Sequence, residues 1–493
     1  MSYVELHACS AFSFLRGGSF PEQLAETAAG LQMPAIALLD RNGVYGAQRF
    51  SVAAREHNVR PIVGTELTME DGSVLPVLVK DRGGYKNLCE LLTQTHLRSA
   101  KGECAIKWAE LPVFAKGLIA LLGLGSAGCQ PAVCGSLPQT SSATLRTKNH
   151  SVRQAAGRDR LAACAPQSSV QRAKSLIDVF GRENIYVEIQ RHFLRGEDRI
   201  NQELCDLAEA HRLPVIATNG VQYARPYGRQ VLDVFTCIRE HTHLDAAGKL
   251  LTQNAERHLK SDAEMRALFR DRPDAIENTS RLAERLEFSL ENIGYEFPSF
   301  PVPDGHDMNS FLRTITLFGA QQRYTSISTA VKRKLEEELS LIQRLGFSGY
   351  FLIVWDIINF CREHNVMVQG RGSAANSAVC YCLGITPVDP VSNNLVFERF
   401  LSESRKGWPD IDLDLPSGDR RESVIQEVYR RYGKHGAAMT ANVITYRGRS
   451  AAREIGKVLN FSPNVLDRFS HLFASGDFPH TLDLAAQIEQ AGL

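Results

Sequence analysis

The sequence predicts an α/β protein of several domains, with a β/α body first and a mainly helical body after it. Two observations carry this reading. Short apolar runs alternate with helically spaced stretches through the first hundred residues and again from residue 185. A proline-rich break at 295–306 (YEFPSFPVPDGH) then separates that texture from long amphipathic segments. A chain of 493 residues fits the picture, since one core rarely grows that large and about two to four domains are expected.

Residues 3–6, 35–39, 61–63 and 75–79 have strand character, and 21–31 and 47–57 have helical spacing between the first three strands. That order argues for βα units and a mostly parallel sheet. The pattern resumes with a strand at 185–189, a helix at 203–210 and a strand at 215–218. One α/β domain over 1–270 is expected, interrupted at 125–171 by a stretch rich in Ser, Thr, Ala, Gly, Gln and Arg, read as a disordered insert. Residues 271–306 form a linker. Beyond it, 331–345 is a periodic amphipathic helix, 349–362 an apolar and therefore buried one, and 422–432 helical again.

Hydrophobic residues make up 44% and charged ones 23%, the balance of a soluble globular protein. No apolar run reaches the roughly 18 residues of a membrane span, and the first residues lack a signal-peptide pattern. A cytoplasmic protein is expected. The 11 cysteines show no CxxC pair or zinc spacing and are read as core residues or free thiols. With a formal net charge of +1, any binding of nucleic acid must rest on locally clustered cations.

Two motifs carry chemistry. In WPDIDLDLPS, Pro409 opens a strand in which Asp410, Asp412 and Asp414 alternate with Ile411, Leu413 and Leu415. A period of two puts the carboxylates on one face and the apolar side chains on the other. Carboxylates so placed can hold a pair of divalent cations for phosphoryl displacement. They can equally be the solvated face of an edge strand, and spacing alone leaves both open. A calcium loop is excluded, because Leu415 stands where the turn glycine belongs and Arg421 where the bidentate Glu belongs.

The second motif is QGRGSAANSA, residues 369–378, between an apolar run and a small-residue helix. Gly372 permits close backbone approach to an anion, the following helix N-terminus adds favourable partial charge, and Arg371 and Ser373 supply donors. A plain turn with a helix cap reads the same residues. An anion-holding turn some forty residues ahead of paired aspartates suits nucleotidyl transfer. Farther on, Arg447, Arg449, Arg453 and Lys457 cluster in YRGRSAAREIGK, a basic surface for a nucleic-acid backbone or simply a solvated helix face.

These stretches, with GYFLIVWDIINFCRE and FERFLSESRKGWPDIDLDLPSGDRRE, resemble the alpha subunit family of bacterial DNA polymerase III, and most of all its error-prone branch. The resemblance implies a polymerase-and-histidinol-phosphatase (PHP) domain over 1–270, a distorted β/α barrel. It implies a polymerase-beta-like nucleotidyltransferase palm over 307–432 and the start of a helical thumb over 433–493. The family's glycine-serine motif falls on Gly372 and Ser373 and its metal-binding pair on Asp410 and Asp412. Asp414 becomes a supporting carboxylate, and Arg399 lies near the incoming nucleotide. Two Mg²⁺ ions, deoxynucleoside triphosphates, primer-template DNA and other translesion or replication proteins are the implied cofactors and partners, in DNA replication and repair of damage.

Two departures qualify the match. Of the metal ligands of an active PHP domain, the sequence keeps His7, Asp40 and Glu66. Cys9 replaces the second histidine of the first motif, Arg41 that of the next, and Gly220-Val221-Gln222 stands for Asp-Val-His. A site so depleted should not hold its metals, so the barrel is expected to be a scaffold. The family's third catalytic aspartate is expected to lie past residue 493. A PHP-type phosphoesterase or nuclease, and a non-catalytic DNA-binding fragment, are the competing readings.

Overall fold

The computed structural model describes residues 2–123, 166–293, 299–402 and 409–472. The stretch 125–171 lies mostly outside the described residues, and its last residues, from Pro166, open the helix Pro166–Phe180. The chain divides into two compact units, Met1–Ile293 with Thr445–Leu493, and Gly294–Ile444.

Among the described residues, the first unit is built on seven strands: β1 (Glu5–Ala8), β2 (Ala35–Arg41), β3 (Arg60–Thr68), β4 (Val74–Val79), β5 (Leu118–Leu122), β6 (Ile185–Ile189) and β7 (Val215–Ala217). They lie side by side in chain order. Only β4 runs antiparallel to its neighbours; the pairs β1–β2, β2–β3, β5–β6 and β6–β7 are parallel. Beyond β7, Val221 pairs parallel with Ala8. Its N–H donates to His7 O at 2.8 Å, and it accepts from Cys9 N–H at 2.9 Å. The sheet therefore returns to its first strand, and the expected distorted β/α barrel is present, with β4 as the distortion.

Burial on both faces explains why these strands read as continuous apolar runs rather than alternating ones. Ala35, Ala37 and Leu39 of β2 join one apolar cluster with Ile62, Leu78, Ile119, Leu121 and Ile216. Ile36 and Leu38 join the other, with Val63, Val77, Ala120, Val187 and the covering helices. The helix Pro273–Glu284 supplies Leu282 and Ala283 to the first cluster, so this unit continues well past residue 270. The helix Gly448–Val458 also belongs here: Val458 packs with Cys237 and Ala247.

The second unit is mainly helical. Met308–Arg323, Thr329–Arg344 and Ser348–Glu363 form its core through Leu312, Leu335, Ile342, Phe351 and Ile358. The short helix Ala378–Cys382 packs so closely on the first of these that a Cβ at Gly319 would lie 2.0 Å from Cys382 O. Two short strands, β8 (Gln369–Arg371) and β9 (Asp412–Asp414), pair antiparallel, and the helix Asp419–Gly436 follows.

Among the described residues, no single helix is long and apolar enough to cross a membrane. The described cysteines are all free thiols.

Candidate functional site

The two chemical motifs meet as neighbouring strands. Arg371 pairs with Asp412, Gly370 with Leu413 and Gln369 with Asp414. Ile411 and Leu413 point into the second unit's core, while Asp410, Asp412 and Asp414 are exposed. The alternation read from the sequence therefore holds, but the strand is shorter than expected. β9 begins at Asp412, and Asp410 lies ahead of it. The reason is a tertiary contact: Ile411 N–H donates to Tyr350 Oη at 3.0 Å. Gly372, at φ +71°, turns the facing chain away just past the Arg371–Asp412 pair. That positive φ is the conformation for which glycine is suited.

The turn after β8 is a short 3₁₀ helix, Gly372–Asn376, followed by Ala378–Cys382. The N-terminus of that second helix is already filled. Glu338, fully buried on Thr329–Arg344, accepts from Ser377 Oγ at 2.8 Å and from the N–H groups of Ala378 and Val379 at 3.0 Å each. Burial pushes its carboxyl up to about 7, against the opposing pull of those donors. The helix end that the sequence offered to a phosphate is thus closed by a side chain. The open donors are those of the Arg371–Gly372–Ser373 turn.

The three aspartates are not equivalent. Arg371 Nε lies 3.1 Å from Asp414 Oδ1, whereas Asp410 and Asp412 have no ion pair or side-chain hydrogen bond among the described residues. Two exposed carboxylates without a counter-charge are a fitting donor set for a hard divalent cation. No group of three or more His, Cys, Asp or Glu side chains converges as a metal site among the described residues. Arg399 is exposed on the turn Phe397–Arg399, anchored by the buried Phe397 and Phe400.

The basic cluster lies in the first unit. Arg447 precedes the helix Gly448–Val458, which carries Arg449, Arg453 and Lys457, all exposed. Arg453 pairs with Asp467 at 2.8 Å and Lys457 with Glu454 at 2.6 Å. Arg447 and Arg449 have no such partner among the described residues.

In the barrel, His7 reaches Glu66 through Nε2 at 2.9 Å and Glu188 through Nδ1 at 2.7 Å. A one-residue bulge in β1 makes this possible. Glu5 and Ala8 pair with Ile36 and Leu38, so three steps on one strand oppose two on the other, and such an extra residue re-aims a side chain. Burial works against the imidazolium, but Glu188 and Glu66 outweigh it and raise His7 to about 10. Glu66 is held at about 2 despite its burial, by Arg41 and His7. Arg41 Nε donates to Glu66 Oε2 at 2.8 Å. Asp40 accepts from Ser10 N–H and from the Ser10 and Ser13 hydroxyls at 2.8–3.0 Å. The remaining ligand-type side chains are thus engaged by protein groups, and a guanidinium stands beside Glu66 where metal chemistry would need a ligand. These residues do not fit a polynuclear metal centre.

Comparison with known families bears on both units. Residues 310–491 match the bacterial DNA polymerase III alpha NTPase domain and residues 5–192 the PHP domain. The error-prone DNA polymerase of Mycolicibacterium paratuberculosis is 41% identical over 510 residues, covering 99% of this chain and 44% of that protein. The error-prone DNA polymerase of Nocardia farcinica is 40% identical, with 95% and 43% covered. The chain belongs to the bacterial DNA polymerase III alpha family.

This DNA polymerase III alpha chain spans under half the length of the curated relatives it matches. Among solved structures, an amidohydrolase from Chromobacterium violaceum aligns with 45% of this chain and 88% of its own at 13% identity and a TM-score of 0.26, too slight a likeness to argue from. In the polymerase III alpha chain, sequence reasoning missed Glu338. The signal was there: Leu335, Glu338, Leu339 and Ile342 share one helical stripe, so a carboxylate occupies an apolar position and must be buried with partners. It also missed Glu188, which lies in an unbroken apolar strand, IYVEI.

Proposed function

We propose that this chain provides the nucleotide- and metal-holding part of a DNA-directed DNA polymerase of the error-prone, translesion type, which adds deoxynucleoside triphosphates to a primer 3′-hydroxyl on template DNA. The observation that carries the reading is the β8–β9 pairing, which sets the Arg371–Gly372–Ser373 turn directly beside Asp412. The printed name of the relatives, error-prone DNA polymerase, points the same way.

On this reading Asp410 and Asp412 would hold the divalent cations, two Mg²⁺ ions in the proposal. Such cations, when bound, neutralise charge on the phosphoryl group being transferred. Arg371 and Ser373 would donate to triphosphate oxygens, with Arg399 as a further cation near the nucleotide. Asp414 would keep Arg371 in place, a supporting role that matches its 3.1 Å contact. Arg447 and Arg449 would contact the DNA backbone first, because Arg453 and Lys457 already have carboxylate partners. Residues 1–270 would serve as a PHP-type scaffold, 307–432 as the palm and 433–493 as the start of a thumb.

Primer extension by the polypeptide carrying this sequence, extended to the length of its relatives, tests the assignment. Asp412→Ala should abolish incorporation while leaving the fold intact. Undiminished extension would overturn it. Salt-sensitive DNA binding without incorporation by the extended wild-type protein would favour a DNA-binding role alone.

A further inference from the structure

The helix Gly448–Val458 carries its cations in a stripe. Arg449, Arg453 and Lys457 stand four residues apart, so they share one face and climb it in steps of about 6 Å. All three are exposed, while Gly448, Ala452, Gly456 and Val458 turn inward. Over residues 445–472 five Lys or Arg stand against two Asp or Glu, a local excess that the chain's net charge of +1 conceals. The two carboxylates do not cancel the stripe. Asp467 and Glu454 engage Arg453 and Lys457 in ion pairs at the surface, and such pairs are worth so little that an incoming phosphate can displace them. Arg447 and Arg449 have no carboxylate partner among the described residues, and neither has the exposed Arg468 on the next helix, Pro463–His471.

Aromatic rings flank the stripe. Tyr446, 63% exposed, stands immediately before Arg447, and neither its ring nor its hydroxyl has a partner among the described residues. Phe461, just past the helix, is 37% exposed and edge-on to Phe469, with ring centroids 6.0 Å apart. A single exposed ring is ordinary. Rings before and after a stripe of cations are the combination that holds an unpaired nucleic-acid strand, with bases stacking on the rings and phosphates meeting the cations. A duplex would use the cations and leave Tyr446 in water, because its bases are already stacked on one another.

We propose that Tyr446, Arg447 and the Arg449–Arg453–Lys457 stripe form a binding surface for single-stranded DNA, with Tyr446 stacking on a base. The inference rests on the DNA polymerase reading and narrows the partner of Arg447 and Arg449 from a DNA backbone of any form to an unpaired strand. Arg447 and Arg449 take the first phosphates, and Arg453 and Lys457 follow as their surface pairs open.

The test is fluorescence anisotropy of this chain with a labelled oligothymidylate and, separately, with a blunt duplex of equal length, across a range of salt. Oligothymidylate is expected to bind at least about fivefold more tightly than duplex. Tyr446→Ala should weaken it about tenfold, the loss of one stacked base, and leave duplex affinity unchanged, with Tyr446→Phe retaining the wild-type value. Tyr446 packs on no other ring, so its substitution leaves folding intact. Arg447→Gln combined with Arg449→Gln should weaken both DNAs and reduce the salt dependence. Equal binding of the two DNAs, or oligothymidylate binding indifferent to Tyr446→Ala, overturns the single-strand assignment and leaves the polymerase reading standing, since primer extension tests that reading through Asp412. Tighter binding of oligouridylate than of oligothymidylate overturns the assignment to DNA. Binding of neither DNA overturns the surface altogether.

Discussion

Glu338, on the helix Thr329–Arg344, and Ser377, the N-cap of Ala378–Cys382, meet at 2.8 Å in the core of the second unit, and the same carboxylate closes the backbone of Ala378 and Val379. This buried acid fixes the start of the helix that follows the Gly372–Ser373 turn, so the turn's position depends on a residue that never reaches the surface.

Glu338→Ala should destabilise the protein by about 2–4 kcal/mol, because it leaves a buried hydroxyl and two N–H groups unpaired and opens a cavity. Urea denaturation followed by circular dichroism measures this. A loss below about 1 kcal/mol would mean that the cap is dispensable.

The same residue predicts a pH slope. Its folded carboxyl, raised to about 7, binds a proton that the unfolded chain releases near pH 4.5. Stability in the second unit should therefore fall as pH rises from about 4.5 to 7, by on the order of 1–3 kcal/mol. Denaturation midpoints across that range test it, and Glu338→Gln should flatten the slope.

The barrel site predicts a loss of stability at each extreme of pH. His7 is raised to about 10 and Glu66 lowered to about 2. The His7 contribution is complete below about pH 6.5 and lost as pH climbs through 10. The Glu66 contribution is complete above about pH 4.5 and lost as pH falls through 2. His7→Ala should remove the alkaline loss, and Arg41→Ala should leave Glu66 short of a partner and cost roughly 1–3 kcal/mol.

Arg371→Gln separates binding from folding. Its pair with Asp414 is more than half exposed on both sides, so stability should change by less than about 0.5 kcal/mol. Nucleotide affinity of the extended polymerase should fall by about tenfold. Unchanged affinity would remove Arg371 from the nucleotide site.

Much of this was legible in the sequence. The strands at 35–39 and 185–189 and the helices at 21–31 and 47–57 agree with the structure to within two residues at each end, because hydrophobic periodicity is a local signal. The alternation of Asp410 to Asp414 with Ile411 and Leu413 was equally local. What escaped was tertiary. No spacing reveals that Tyr350, distant in sequence, takes the Ile411 N–H and delays β9 to Asp412. Nor does any pattern reveal that a bulge in β1 turns His7 onto Glu66 and Glu188. Glu338 is intermediate: its stripe announces burial, but the helix end it caps lies some forty residues away.

The seam at Ala8 and Val221 has a consequence for how the chain is made. The first strand can find its last neighbour only after roughly two hundred further residues have been synthesised, an interval of about 10–40 s at ordinary elongation rates. Until then one side of β1 is a bare edge, the kind of surface that recruits stray strands. Newborn chains should therefore be most prone to mispairing before Val221 emerges, and folding yield should respond to slower elongation or to chaperones that shield the amino-terminal strand.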